Sequence, residues 1–125
     1  SLWRSMKRFS IEIPMRTYSE SNERVHWVKR YQRNKAQKHT VWAMLHRHTS
    51  PSLPCMLKIT RIAPRSLDMD NLGGCLKSVV DAASEWITPN LAAGRADSVQ
   101  GLKIELGQEK GKVGYYAIRI DVEDP

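Results

Sequence analysis

With 125 residues, 41% of them apolar, the chain has material for one core and one domain, and no internal repeat divides it. A formal net charge of +7 points to a polyanionic partner, nucleic acid before an anionic membrane. Two cysteines in apolar settings, no long apolar run and no signal-peptide pattern exclude a disulfide framework, a zinc motif and a membrane span. They lead us to expect a soluble, cytoplasmic protein with Cys55 and Cys75 as buried thiols.

Residues 1–8 are basic and aperiodic and read as an arm. Phe9, Ile11 and Ile13 alternate with Ser10 and Glu12 as a first strand, which Pro14 ends. A polar loop follows, and the next gap-free stretch predicts a helix from about Glu23 to His46. Trp27, Tyr31, Val41, Trp42 and Leu45 mark its expected buried side. Its middle, K-R-Y-Q-R-N-K-A-Q-K-H, is densely basic and has no balancing acid after Glu23. That run is either a solvated face or a phosphate-contacting one. In the second case Arg24, Lys29, Arg30, Arg33, Lys35 and Lys38 are the candidate DNA-binding residues.

H-R-H-T-S-P-S-L-P breaks the helix. The histidines show no metal-ligand spacing and read as loop or phosphate-facing residues. A second strand, C-M-L-K-I-T-R-I, has Leu57 and Ile59 on one face. Then comes S-L-D-M-D-N-L-G-G-C-L-K-S-V-V-D-A-A-S-E, residues 66–85. Asp70 and Asn71 are good N-caps, and Leu72, Cys75, Leu76, Val79, Val80, Ala83, Trp86 and Ile87 form one helical core face. Asp70, Gly74, Lys77 and Asp81 lie on the opposite side.

If the chain is still extended at Asp68 and Asp70, their side chains point the same way and converge. Converging carboxylates suit a hard cation, Mg²⁺ or Mn²⁺. Asp97, in the loop that follows, is a third candidate ligand. The bland alternative is a pair of helix-capping residues.

Val99 to Leu106 reads as a third strand, G-Q-E-K-G-K as a hairpin loop, and Tyr116, Ile118, Ile120 and Val122 as the last strand. The order β-α-β-α-β-β predicts an α+β fold, a four-stranded mixed sheet with two helices on one face. Asp97 would meet Asp68 and Asp70 if the end of the second strand and the start of the third are neighbours. The charge is split: residues 1–65 carry fourteen Lys and Arg against three Asp and Glu, residues 66–125 six against ten. Such a division fits a protein that holds a polyanion beside a metal ion.

D-M-D-N-L, then L-K-S-V-V-D-A, then A-D-S ahead of a strand resembles the RusA family of Holliday-junction resolvases, small endonucleases of bacteria and phages. The first strand with Pro14 and S-E-S-N-E-R-V-H-W before a basic helix is similar too, so the resemblance runs from about residue 9 to 122. It implies a single nuclease domain and a Mg²⁺-dependent homodimer that cuts four-way DNA junctions in recombination and repair. The metal-binding acids would then be Asp68, Asp70 and Asp97, and the essential lysine Lys77. Its competitors are a junction-binding module of the same fold with lost catalysis, a nuclease for other branched DNA, and an RNA-associated basic domain.

Overall fold

The structure is a computed structural model that describes residues 7–18, 27–51, 53–88 and 101–123. Its elements are β1 (Lys7–Ile13), α1 (Trp27–Leu45), β2 (Cys55–Ala63), α2 (Met69–Cys75), α3 (Lys77–Ile87), β3 (Leu102–Lys110) and β4 (Ala117–Glu123). The strands form one mixed sheet in the order β1-β4-β2-β3. β4 is antiparallel to both β1 and β2, whereas β2 and β3 are parallel. The predicted α+β class with a four-stranded mixed sheet is what the chain adopts.

Period-two alternation explains which strand residues face the core. Leu57 and Ile59 of β2 and Ile118, Ile120 and Val122 of β4 are almost fully buried, and they join Val41, Leu45, Leu72, Leu76, Val79 and Ala83 of the helices in one cluster. Both cysteines are buried thiols, and that of Cys75 donates to Thr17 Oγ1 at 3.0 Å.

α1 and α3 run side by side in the same direction. The Ser78 hydroxyl, near the start of α3, donates to Gln37 Oε1 in the middle of α1. Trp86, near the end of α3, donates its indole N–H to the carbonyl of His48, just past the end of α1. The first half of α1 therefore extends past the start of α3.

Four expectations need correction. The second helix is not continuous: it breaks at Leu76, whose φ of −99° and ψ of 6° leave the helical well, giving three helices instead of two among the described residues. Gly73 and Gly74 lie just before the break, and two glycines in one turn leave little propensity to carry the helix through. Trp27 and Tyr31 are 69% and 61% exposed, and Trp42 is 42% exposed, because the contact with α3 is made by Gln37, Val41 and Leu45. G-Q-E-K-G-K is not a hairpin loop: strand β3 continues through Lys110, and β2 lies between β3 and β4. Finally, the first strand begins at Lys7, inside the expected arm.

Candidate functional site

The start of α2 carries the two candidate carboxylates. Asp68 is the N-cap, with extended backbone (φ −70°, ψ 165°), and its Oδ1 accepts the backbone N–H of Asn71 at 3.0 Å. The cap therefore sits two residues earlier than Asp70. Asp70 lies inside the first turn and is exposed. Residues two apart face each other only in extended chain, so the helical start removes the geometric reason for convergence that the sequence suggested. Asp70 instead takes a favourable place for a negative charge, beside the unpaired N–H groups of the first turn.

The parallel pairing of β2 with β3 bears on the third carboxylate. Cys55 lies opposite Leu102 and Ala63 opposite Lys110, so the end of β2 that leads to Asp68 and the start of β3 are at opposite ends of the pair. The expected neighbourhood of those two strand ends is not provided by this topology. Asp97 and Arg24 lie outside the described residues. Among the described residues no group of three His, Cys, Asp or Glu side chains is assembled for a metal ion.

Leu67, one residue before the cap, is held by Gln108 of β3. The Leu67 N–H donates to Gln108 Oε1 at 2.9 Å, and Gln108 Nε2 donates to the Leu67 carbonyl at 2.6 Å. This pair of bonds satisfies both backbone groups of Leu67 and fixes the approach of the chain to α2. Gln108 thus occupies a core-facing strand position with a polar side chain.

Lys77 is the first residue of α3, and its Nζ lies 3.2 Å from Asp81 Oδ1. The lysine side chain is 61% exposed, so this i,i+4 pair holds it only loosely. Beside it is a groove of about 320 Å³ between α1 and α3, lined by Tyr31, Lys35 and Lys38 on one side and Lys77, Ser78 and Asp81 on the other. Lys38 is paired with Glu85 at 2.9 Å, also near the surface. Three lysines from two distant stretches of sequence thus share one concave surface with one acid, Asp81.

The remaining basic residues of α1 divide. Lys29 is exposed. Arg33 turns to the other flank, where its guanidinium lies 3.9 Å from the ring centroid of Tyr18. Arg16 stands over Tyr18 as well and over Tyr116 at 4.6 Å. Arg33 therefore has a structural partner of its own. The sequence run looked like one basic face because charge density along a chain does not tell which way each side chain leaves the helix. Tyr31 and Ser78 were not singled out from the sequence as groove residues, and only the pairing of α1 with α3 reveals them.

A second charged constellation lies on the sheet face opposite the helices. Arg119 of β4 makes a two-pronged contact with Glu109 of β3, Nη1 to Oε1 at 3.2 Å and Nη2 to Oε2 at 3.0 Å. Its Nε is 3.6 Å from Glu12 of β1, whose other oxygen accepts the Tyr115 hydroxyl at 2.6 Å. The Arg119 hydrogen bonds and charge hold the Glu109 carboxyl below its ordinary value. The bond to Glu12 pushes the Tyr115 phenol up.

No family model matches the chain, and no curated protein or solved structure is similar to it at a significant level. Among the described residues no helix is long and apolar enough to cross a membrane.

Proposed function

We propose that the chain is a Mg²⁺-dependent, structure-specific endonuclease that cleaves four-way DNA junctions, as its resemblance to the RusA family implies. The observation that carries this reading is the groove in which Lys35, Lys38 and Lys77 come together. It is a cationic surface beside a helix whose start presents two exposed carboxylates.

The donors suit the ion. Mg²⁺ retains several waters and needs only one or two protein carboxylates. Asp70 is exposed, and the cap uses Oδ1 of Asp68 and leaves Oδ2 for another partner. In this reading Asp68 and Asp70 hold the metal and water completes its shell. When bound, it would polarise the scissile phosphate and lower the pKa of a bound water.

Lys77 would leave its exposed pair with Asp81 to meet charge developing on the phosphate. Giving up such a pair costs less than about 1 kcal/mol, while a cation aimed at the transition state is worth more. Lys35 and Lys38 would hold neighbouring phosphates. A two-fold homodimer would present two equivalent sites to the two strands that must be cut.

One observation favours a second reading, a junction-binding module without catalysis. Asp68 and Lys77 each already have a structural role, the one as N-cap and the other as partner of Asp81.

The two separate by experiment. A synthetic four-way junction, a linear duplex and a single strand are incubated with the protein in Mg²⁺, Mn²⁺ or EDTA. Paired symmetric cuts restricted to the junction, lost in EDTA and lost at least ~100-fold in Asp70→Asn while binding is retained, support the nuclease. Tight junction binding with no cleavage in any metal leaves the module. Cleavage by Asp70→Asn at the wild-type rate overturns the site.

A further inference from the structure

One strip of α1 carries an aromatic stack that the proposed chemistry does not use. His39 and Trp42 are three residues apart, and His46 follows four residues later, just past the helix end, where its N–H still bonds the Trp42 carbonyl at 3.0 Å. The Trp42 and His46 rings lie with centroids 3.9 Å apart and planes inclined by 29°. His39 and Trp42 are 6.2 Å apart and nearly parallel, at 16°. His46 Nδ1 also donates to the Trp42 carbonyl at 2.8 Å, which fixes the imidazole against the indole.

None of the three belongs to the core cluster; both histidines are exposed and Trp42 is 42% exposed. An indole held in order at the surface contributes little to burial, so its order calls for another explanation. At about 100° per residue, positions 31, 35, 38, 39, 42 and 46 fall within an arc of about 100°. The stack therefore continues the strip that Tyr31, Lys35 and Lys38 begin in the groove. Trp42 lies about 10 Å along the helix from Lys35, roughly three stacked nucleotides.

We propose that this strip is a binding track for single-stranded DNA. The lysines of the groove take phosphates, and the His39–Trp42–His46 stack takes unpaired bases on its ring faces. Cations followed by ordered, accessible rings are what such a strand recognises: every base has a π-face, and only an unpaired base can offer it. A duplex keeps its base faces in its own stack and would meet the lysines alone. The proposal rests on the reading of the chain as a DNA-binding protein and adds that bases, not only phosphates and junction shape, are held.

The test uses the full chain in EDTA, so that no cleavage intervenes. Anisotropy of labelled oligo(dT), of a duplex of equal length and of oligo(rU) is measured for the wild type, Trp42→Ala, Trp42→Phe and the double variant His39→Ala/His46→Ala. Oligo(dT) affinity should fall about 5- to 100-fold in Trp42→Ala, fall less in the histidine pair, and be largely kept in Trp42→Phe. Duplex affinity should not change in any of them. The histidine pair, at exposed positions, keeps the test valid if Trp42→Ala unfolds. Unchanged oligo(dT) binding, or equal loss for oligo(dT) and duplex, overturns the track. Tighter binding of oligo(rU) overturns its assignment to DNA. Because cleavage is not measured, a Trp42-dependent oligo(dT) affinity stands even if Mg²⁺-dependent junction cutting fails, and the reverse also holds.

Discussion

Two regions of this molecule concentrate charge, and they do so differently. On the helix-free face of the sheet, Arg119 is gripped by Glu109 and Glu12, and Glu12 is in turn held by Tyr115. Each of these groups has a named partner, and the Glu109 carboxyl is shifted down and the Tyr115 phenol up by those partners. In the α1–α3 groove, three lysines share the surface with one acid, Asp81, which pairs with Lys77, while Lys38 pairs with Glu85. The first region is closed on itself and organises β1, β3, β4 and the turn that carries Tyr115. The second has positive charge in excess, each paired lysine being held by a single contact. Charge density alone would rank the two alike; the pairing separates them.

The largest effect should appear where the two are set against each other. Replacing Lys35, Lys38 and Lys77 with Ala should lower junction affinity at low salt by about 100-fold or more. It should also flatten the log-log salt dependence by about 0.9 for each phosphate that is no longer neutralised. Arg119→Ala should leave both quantities unchanged while lowering the denaturation midpoint. A reversal of that pattern in filter-binding and melting experiments would mean that the roles of the regions are exchanged.

A smaller loss is expected at Gly111, where a Cβ would come within 2.9 Å of Ile62 Cγ2, on a buried side chain under the turn. Gly111→Ala should cost about 1–3 kcal/mol in urea unfolding, with nucleic-acid binding retained. Asp68→Ala removes the cap of α2 and should cost about 1 kcal/mol; a loss under a few tenths would show that the cap bond is not formed in solution.

The gentlest probe is pH. Arg119 depresses Glu109 in the folded state, so the stability from that pair is complete above the unfolded carboxylate pKa. It fades as pH falls through the lowered folded value. Tyr115 is raised, so its contribution is complete below the unfolded phenol pKa and is lost as pH climbs through the raised folded value. The melting midpoint should therefore be level between the two. Tyr115→Phe should remove the alkaline limb, and phenolate absorbance should show one tyrosine titrating late in the wild type but not in Glu12→Gln.

Several elements were legible because their signals are local. Alternation in β1, β2 and β4 and the 3.6 period of α3 mark core faces without knowledge of the rest of the chain. The i,i+4 relation of Lys77 and Asp81 was equally readable, and the pair is formed. The end of β3 was hidden because Gln108 occupies a core-facing position and satisfies the backbone of Leu67, so apolar alternation stops before the strand does. The break at Leu76 was hidden because the apolar period continues through it. Trp27 and Tyr31 fit an apolar period along α1, but periodicity cannot reveal that the buried positions of the helix are Gln37, Val41 and Leu45. Strand direction is a long-range property, and the parallel pairing of β2 with β3 separates the strand ends expected to meet around the acids.

The shared direction of α1 and α3 has an electrical consequence. In a helical hairpin the peptide dipoles of the two rods oppose each other; here they add, and both positive poles point to the same end of the molecule. Each pole is worth about 0.3–1 kcal/mol to an anion nearby. The backbone itself therefore biases that end toward a negatively charged visitor, in a way that no side-chain substitution can erase.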